Sequence, residues 1–142
     1  MRVISNINIL SREIIGAAIE VHRELGPALL ESAYAPCLER ELTARSVAFE
    51  RQRVIPVVYK GDELDTCYRI DLIVEGLIVV ELKAVEQTLP VHHAQVLTYL
   101  RLTGCPLGLL MNFKVARLRD GVKRLVNPYR TNFIGGEIDL NP

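Results

Sequence analysis

Two strongly apolar segments, joined by the dipeptide Glu75-Gly76, are the feature that most constrains the fold. They span residues 66–74 and 77–83 and are rich in Ile, Leu and Val. A two-residue turn of this composition joins antiparallel neighbours, so the sequence predicts a β-hairpin. Charged residues interrupt the apolar runs of both predicted strands: Asp71 within 70–74, and Glu81 and Lys83 within 77–84.

These charged residues predict a metal site. Strand side chains alternate, so Glu81 and Lys83 should share one face, with Leu82 opposite and Asp71 beside Glu81. Adjacent carboxylates on a half-buried surface need a neutralising charge, and Mg²⁺ prefers oxygen ligands. Lys83 is then placed to orient or deprotonate an attacking water, or to stabilise charge on a phosphate. The alternative is a solvated face with a cross-strand ion pair. Three features favour the site: the matching Asp, the apolar neighbours and polar residues converging from elsewhere.

The other predicted elements place the hairpin in an α/β (α+β) domain. Helices are predicted over 12–24, with Ser11 as N-cap, over 31–45 and over 90–102. Strands are predicted over 51–59, an edge strand because of Pro56, and over 107–113, where apolar residues indicate burial on both faces. A further hairpin is predicted over 115–126, around Asp120-Gly121. A helix between two such strands is a crossover, so we expect a central mixed sheet flanked by helices.

Two predicted helices supply further candidate side chains. Gln95 and Tyr99 lie on one face of the crossover helix together with His92, and are suited to holding a phosphate, a water or the lysine. On the second helix Glu31 is a candidate third carboxylate, although the helix dipole also favours an acidic residue in a first turn. The ordinary alternatives are a core aromatic for Tyr99 and a capped surface histidine for His92. His22 and His93 are interpreted as structural.

Length and charge limit the remaining choices. The 142 residues suit one domain over 1–142, with 1–10 and 128–142 peripheral, and the net charge is zero, so any nucleic-acid contact needs a local basic patch. The basic residues of one segment are a candidate patch, or equally a solvated hairpin face: Lys114, Arg117, Arg119, Lys123 and Arg124.

Cysteines and apolar runs exclude other classes of protein. The three cysteines are far apart in the sequence, which argues against a disulfide framework and against a cysteine-bound metal, and they are interpreted as small buried side chains. No apolar run approaches the roughly 18 residues of a membrane span, and no signal peptide is apparent, so we expect a cytoplasmic protein with no membrane partner.

Taken together, these segments resemble the small proteins of the PD-(D/E)XK nuclease superfamily named for a G-x-x-E-x-x-Y motif. The similarity covers about 14–128 and rests on LGPALLESAY, YRIDLIVEGLIVVELKAV, HHAQVLTYLRLTG, GLLMNF and DGVKRLVN. Two positions depart from the pattern: Ala28 stands at the motif's glycine, and Pro36 lies inside the second helix. Both bear on where Glu31 is placed.

The resemblance implies a restriction-endonuclease-like core with Asp71, Glu81 and Lys83 in the metal and catalytic positions. Gln95 and Tyr99 are similar to the Q-x-x-x-Y element of RecB-type nucleases, and Glu31 matches the helical glutamate that often completes their metal site. The cysteine ligands of the iron–sulfur members are absent, so that cluster is not expected.

Three functions remain open. The first is a nuclease cleaving DNA or RNA, in which Asp71, Glu81 and the Leu82 carbonyl hold Mg²⁺ or Mn²⁺ with help from Glu31. In it, Lys83 activates the attacking water, and Gln95 and Tyr99 position the water or phosphate. The second is a weakly catalytic binding or assembly module that forms a homodimer or acts beside a larger enzyme. The third is hydrolysis of a small phosphorylated metabolite.

Overall fold

The structure is a computed structural model that describes residues 6–129. Its helices are α1 (Ile7–Leu25), α2 (Glu31–Ala44) and α3 (Pro90–Thr103). Its strands are β1 (Phe49–Tyr59), β2 (Asp62–Val74), β3 (Ile78–Lys83), β4 (Leu107–Asn112) and β5 (Val122–Val126). A short 3-10 helix, Leu118–Gly121, precedes β5.

The strands of this part of the chain form a mixed sheet in the order β1-β2-β3-β4-β5. Only the β3–β4 pair is parallel; the other neighbours are antiparallel. A parallel pair requires a crossover, which α3 provides. The predicted mixed sheet flanked by helices is therefore confirmed.

The helices cover opposite faces of the sheet and enclose two cores. In the first core, α1 and α2 pack on the face that carries Leu72, Val80 and Leu82. In the second core, α3 packs on the face that carries Val79 and Leu110. Because β3 side chains alternate, Glu81 shares the face of Val79, opposite Leu82, as predicted.

The two turns of the β1–β3 region differ in length. Tyr59 pairs with Asp62 across the two residues Lys60-Gly61. Val74 pairs with Ile78, so the turn predicted as Glu75-Gly76 contains a third residue, Leu77. Lys60-Gly61 and Glu75-Gly76 have positive φ at both residues, as a type I′ hairpin turn requires. β1 is an edge strand, as Pro56 indicated, and its register with β2 shifts between Pro56 and Val58. β2 pairs with β3 only through residues 72–74, so β1 and the outer part of β2 form an exposed two-stranded arm.

The first helix begins earlier than the sequence predicted. The Asn6 side chain caps it by accepting from the backbone N–H groups of Asn8 and Ile9, so Ser11 is not the N-cap. Ser11 is buried within the helix, where its hydroxyl donates to the Asn8 carbonyl. Ile7 and Leu10 are fully buried, so the expectation of a peripheral segment is wrong for residues 6–10. Residues 1–5 and 130–142 lie outside the described part of the chain.

The hairpin predicted over 115–126 is also wrong, because only its second half is a strand. Leu118 packs into the first core, and the Leu118–Gly121 turn brings the chain against the end of β4. A Cβ on Gly121 would lie 2.2 Å from the Asn112 carbonyl oxygen, so the backbones approach too closely for any larger residue. An Asp-Gly pair marks this contact rather than a hairpin turn.

The structure also bears on the expected burial of the three cysteines and on the expected absence of a membrane-spanning segment. Cys105 is buried as expected, but Cys67 is exposed and Cys37 is only partly buried. Within residues 6–129, no helix has both the length and the apolar content needed to cross a membrane.

Candidate active site

The site is built where the β2–β3 hairpin opens. The ladder between these strands ends at the pair Leu72 and Val80. Beyond it, the Asp71 N–H donates to Glu81 Oε1 and the Leu82 N–H donates to Asp71 Oδ2, each at 2.9 Å. Each carboxylate therefore takes the place of a backbone acceptor that the separating strand no longer supplies. The hairpin brings Asp71 and Glu81 together, as the sequence predicted.

Burial makes this carboxylate pair difficult to ionise. Glu81 is 3% exposed, and burial together with the Asp71 charge raises the pKa of Glu81 to about 8. Burial also raises the pKa of Asp71, against the opposing effects of the Leu82 N–H and of Lys83. Two such groups gain from a nearby positive charge, because it offsets both the burial cost and their mutual repulsion.

Lys83 and Glu31 complete the charged cluster. Lys83 follows Glu81 by two residues on β3, and its positive charge partly offsets the upward pKa shifts that burial causes at Glu31, Asp71 and Glu81. Glu31 is the first residue of α2 and exposed to solvent, yet partial burial, with a smaller effect of Asp71, raises the pKa of its carboxyl. Three carboxylates thus share one lysine.

A cavity of roughly 440 Å³ separates the start of α2 from the opened hairpin. Its lining includes Glu31, Gln52, Asp71 and Leu82. The Leu82 N–H points toward Asp71, and a strand residue's N–H and C=O point to the same side, so the Leu82 carbonyl faces this side as well. The cavity is therefore rich in oxygen acceptors.

This donor set suits a hard divalent cation. Mg²⁺ sites usually use one or two carboxylates with water and phosphate oxygens rather than a complete protein cage. Consistent with this, no three His, Cys, Asp or Glu side chains within residues 6–129 are grouped to form a full ligand set. Glu31 is therefore near enough to affect the Asp71–Glu81 pair electrostatically, but it does not form a three-carboxylate ligand group with them.

The side chains predicted on α3 divide into two groups. Tyr99 is 2% exposed; its hydroxyl donates to the Arg69 carbonyl at 3.3 Å, and its phenol hydrogen-bonds the Gln95 side chain. Burial and the Glu81 charge raise the pKa of Tyr99 to about 12, which places the phenol close to the carboxylate pair. His92 instead caps its own helix, since its Nδ1 accepts from the Leu89 N–H at 2.9 Å. Tyr99 and Gln95 therefore lie beside the carboxylate pair, and Tyr99 is at the same time a buried member of the second core, the alternative considered for it. The hydrogen bond of His92 is made at the start of its own helix and not in the carboxylate cluster.

Tyr34 fixes the loop that leads to Glu31. It is fully buried, its hydroxyl donates to the Gly26 carbonyl at 2.6 Å, and it accepts from the Leu29 N–H at 3.2 Å. Its ring stacks on Phe113 at 4.3 Å between centroids. Ala28 has no positive φ, and α2 continues past Pro36, so neither departure from the sequence motif interrupts this region.

Two polar residues near the site were missed by the sequence analysis. Asn112, at the end of β4, accepts from the Val85 and Lys114 N–H groups and donates to the Val85 carbonyl, which holds the loop after Lys83. Its only signal in the sequence is a polar residue ending an apolar strand. Gln52 lines the cavity from β1 and has no comparable signal, because its distinguishing feature is its backbone conformation.

His22 has the structural role that was expected for it. It lies on α1 and is largely buried, and its Nε2 is within 3.1 Å of the Phe113 carbonyl and 2.9 Å of the Val115 carbonyl. These contacts join α1 to the segment after β4.

Comparisons with known proteins agree with this architecture. No curated protein matches the chain. The crystal structure of SSO0001 superimposes with a TM-score of 0.54 and 20% sequence identity, a likeness that shows the fold alone. The match covers 87% of this chain and 63% of SSO0001, so this chain spans less than two thirds of that protein. The family model described as "PD-(D/E)XK nuclease superfamily" matches residues 8–125, which include every element from α1 almost to the end of β5. This chain belongs to the PD-(D/E)XK nuclease superfamily.

Proposed function

We propose that this protein is a divalent-metal-dependent nuclease that hydrolyses phosphodiester bonds in nucleic acid. The observation that carries the proposal is the buried pair Asp71 and Glu81, each bonded to the other's strand and next to Lys83. An arrangement that keeps carboxylates buried at a cost in stability is typical of a functional site. We place the chain among the G-x-x-E-x-x-Y proteins, on the strength of the sequence stretches described above.

The metal would be held by Asp71, Glu81 and the Leu82 carbonyl, with Glu31 contributing from the mouth of the cavity. Support comes from the raised pKa of all three carboxyls, which a cation would reverse. When bound, Mg²⁺ or Mn²⁺ supplies Lewis-acid polarisation of the phosphate and favours formation of hydroxide from water.

Side chains of the protein position the water and the phosphate and stabilise the developing charge. Lys83 orients the attacking water and offsets the negative charge that accumulates on the phosphate as the P–O bond breaks. Gln95 contacts the water or the phosphate, and Tyr99 acts through it, because the buried phenol fixes the Gln95 side chain. Tyr34 and Phe113 hold the turn before Glu31.

The direct test is cleavage of labelled single- and double-stranded DNA and RNA with Mg²⁺ or Mn²⁺. Asp71→Asn and Lys83→Ala should each reduce the rate by about 100-fold or more, since loss of a positioned acid–base or electrostatic group has effects of this size. Asp62→Asn and Lys60→Ala make the same charge changes at the exposed tip of the arm and should leave the rate unchanged.

Cleavage that survives Asp71→Asn and Lys83→Ala would show that another site or a contaminant is responsible. Calorimetry with Mn²⁺ distinguishes the nuclease from the second function considered above, a binding or assembly module. If the purified protein neither binds the metal at millimolar concentration nor cleaves, the binding or assembly module is favoured instead.

A further inference from the structure

Gln52 has an unusual backbone for a residue inside a strand. Its φ is +49°, in the left-handed region that side chains other than glycine rarely adopt. The other non-glycine residues with positive φ in residues 6–129 are Ser46, Lys60 and Glu75, and each lies at a turn outside the strands. Gln52 is therefore held in a strained conformation by its surroundings, as is common at functional sites.

The strain occurs directly opposite Asp71. Arg51 pairs with Leu72 and Arg53 with Ile70, so the register places Gln52 across from Asp71, where the ladder is interrupted. β2 is irregular at the same point: Ile70 and Ile73, an odd number of residues apart, pack in the same core. On the other side of β2, the ladder with β3 ends at Leu72, one residue from Asp71. Regular pairing is therefore lost on both sides of β2 where Asp71 enters the site.

Gln52 is one of the residues that enclose the candidate site. It lines the cavity together with Glu31, Asp71 and Leu82, and it is half-buried. Within residues 6–129, its carboxamide takes part in no hydrogen bond or ion pair. A hydrogen-bonding group is therefore kept available at a position that the backbone adopts at a cost.

We propose that Gln52 is a substrate-binding residue whose carboxamide N–H donates to a phosphate oxygen of the nucleic-acid strand in this cavity. The proposal rests on the function proposed above. A phosphodiester is an acceptor only, as are the ionised carboxylates of Glu31 and Asp71, so the cavity must offer donors to admit it. A carboxamide supplies N–H donors without a charge that would compete with a cation for the carboxylates, and side-chain amides commonly make such contacts.

The experiment measures binding of a fluorescent oligonucleotide by anisotropy in Ca²⁺, with strand integrity checked on a gel. Gln52→Gly removes the carboxamide and relieves the backbone, so the melting temperature should stay equal or rise while binding weakens about tenfold, the effect of one hydrogen bond to a charged group. Lys60→Gly is the matched control, because it relieves the same left-handed conformation at the tip of the arm and should leave binding unchanged.

Gln52→Asn tests the same point without adding flexibility. Asn tolerates the left-handed region but is one methylene shorter, so it should fold normally and bind more weakly than wild type. If Gln52→Gly does not fold, binding by Gln52→Asn alone tests whether the carboxamide contacts the nucleic acid. A stable Gln52 variant that binds as tightly as wild type overturns the proposal, as does wild-type protein that binds no oligonucleotide.

The two proposals fail in different ways. Absence of cleavage with Mg²⁺ or Mn²⁺ counts against the nuclease function, whereas the binding ratio between the Gln52 and Lys60 variants decides the role of Gln52. Weakened binding in a protein that cannot cleave would still assign Gln52 to nucleic-acid contact.

Discussion

At the scale of single residues, Asp71 and Glu81 perform two tasks at once. Each satisfies a backbone N–H that the opening hairpin leaves without a partner, and together they provide the carboxylates of the candidate site. Their proximity was predictable only in part. Alternation fixes the face of each strand residue, but a two-residue turn would set Asp71 opposite Val80. A third residue in the turn, Leu77, shifts the register by one and brings Asp71 to Glu81. The left-handed backbone of Gln52 was not predictable, since it arises from contacts between strands and not from the local sequence.

Replacing Glu81 by Gln should stabilise the metal-free protein at high pH. Folding raises the pKa of Glu81 from 4.5 to about 8, so between these values the folded state holds more protons than the unfolded chain. Stability therefore falls as the pH rises through this range. Gln stays neutral and can still accept from the Asp71 N–H, so Glu81→Gln should exceed wild type by about 2 kcal/mol near pH 8, and by much less at about pH 5.

Urea unfolding in EDTA across this pH range measures the difference. Glu86→Gln serves as the control, because Glu86 is fully exposed and Lys114 lowers the pKa of its carboxyl, so no gain at high pH is expected there. A Glu81→Gln protein that is less stable than wild type near pH 8 would contradict the prediction.

Tyr34→Phe should weaken both the fold and the site. The substitution keeps the ring stacked on Phe113 but removes the hydroxyl that bonds Gly26 and Leu29, at a cost of about 1–2 kcal/mol. Because Glu31 follows this loop, the cleavage rate should fall as well. Tyr59→Phe, on the exposed arm, is the control for both stability and rate.

The rate effect of Tyr34→Phe should also depend on Glu31. In a Glu31→Gln background, we expect Tyr34→Phe to lower stability by the same amount with no further loss of rate. Equal losses of rate in both backgrounds would show that Tyr34 does not act through Glu31.

At the scale of secondary-structure elements, the residues that begin and end a helix predicted its bounds well. The wrong predictions, at the start of α1 and over 115–126, arise where tertiary packing decides the structure. Pro90 at the start of α3 and Gly104 after its end set the bounds of α3 within one residue of the prediction, and β3 begins one residue later than predicted. β2 begins at Asp62, four residues before its predicted start, because it pairs with the exposed end of β1. The start of α1 was misplaced because both Asn6 and Ser11 are good capping residues, and burial of Ile7 and Leu10 favours the earlier one. The segment before β5 resembles a strand, but core packing of Leu118 folds it back onto β4.

The distance between α3 and the sheet depends on Gly108. A Cβ there would lie 2.5 Å from Val96 Cγ1, so Gly108→Ala should push α3 outward at a cost of about 1–3 kcal/mol. Since α3 carries Gln95 and Tyr99, the cleavage rate should also fall. Gly16→Ala is the matched control, because its added Cβ meets only the flexible Arg45 guanidinium at 3.3 Å.

A second substitution tests the cause. Val96→Ala removes the clashing methyl group, so the double variant Gly108→Ala/Val96→Ala should be more stable than the sum of its single changes by about 1 kcal/mol. Additive losses would mean that the clash with α3 is not what Gly108 avoids.

At the scale of the whole molecule, charge must be considered locally, because the net charge is zero. Much of the basic segment after β4 is paired: Lys114 with Glu86 at 2.7 Å, and Arg117 with Asp120 at 3.9 Å. Lys123 is exposed on β5 and lines a second cavity together with His93 and Asn112. Asn112 is the partner of Lys83 in the β3–β4 ladder, so this cavity adjoins the candidate site.

This arrangement predicts that Lys123, rather than the basic segment as a whole, contacts the nucleic-acid backbone. Each phosphate contact adds about 0.9 to the slope of log K against log salt concentration, so Lys123→Ala should reduce the slope by about that amount. Lys60→Ala removes an equal charge at the tip of the arm and should leave the slope unchanged. Oligonucleotide binding in Ca²⁺ at several salt concentrations measures both variants, and an unchanged slope for Lys123→Ala would assign that side chain to the solvated surface.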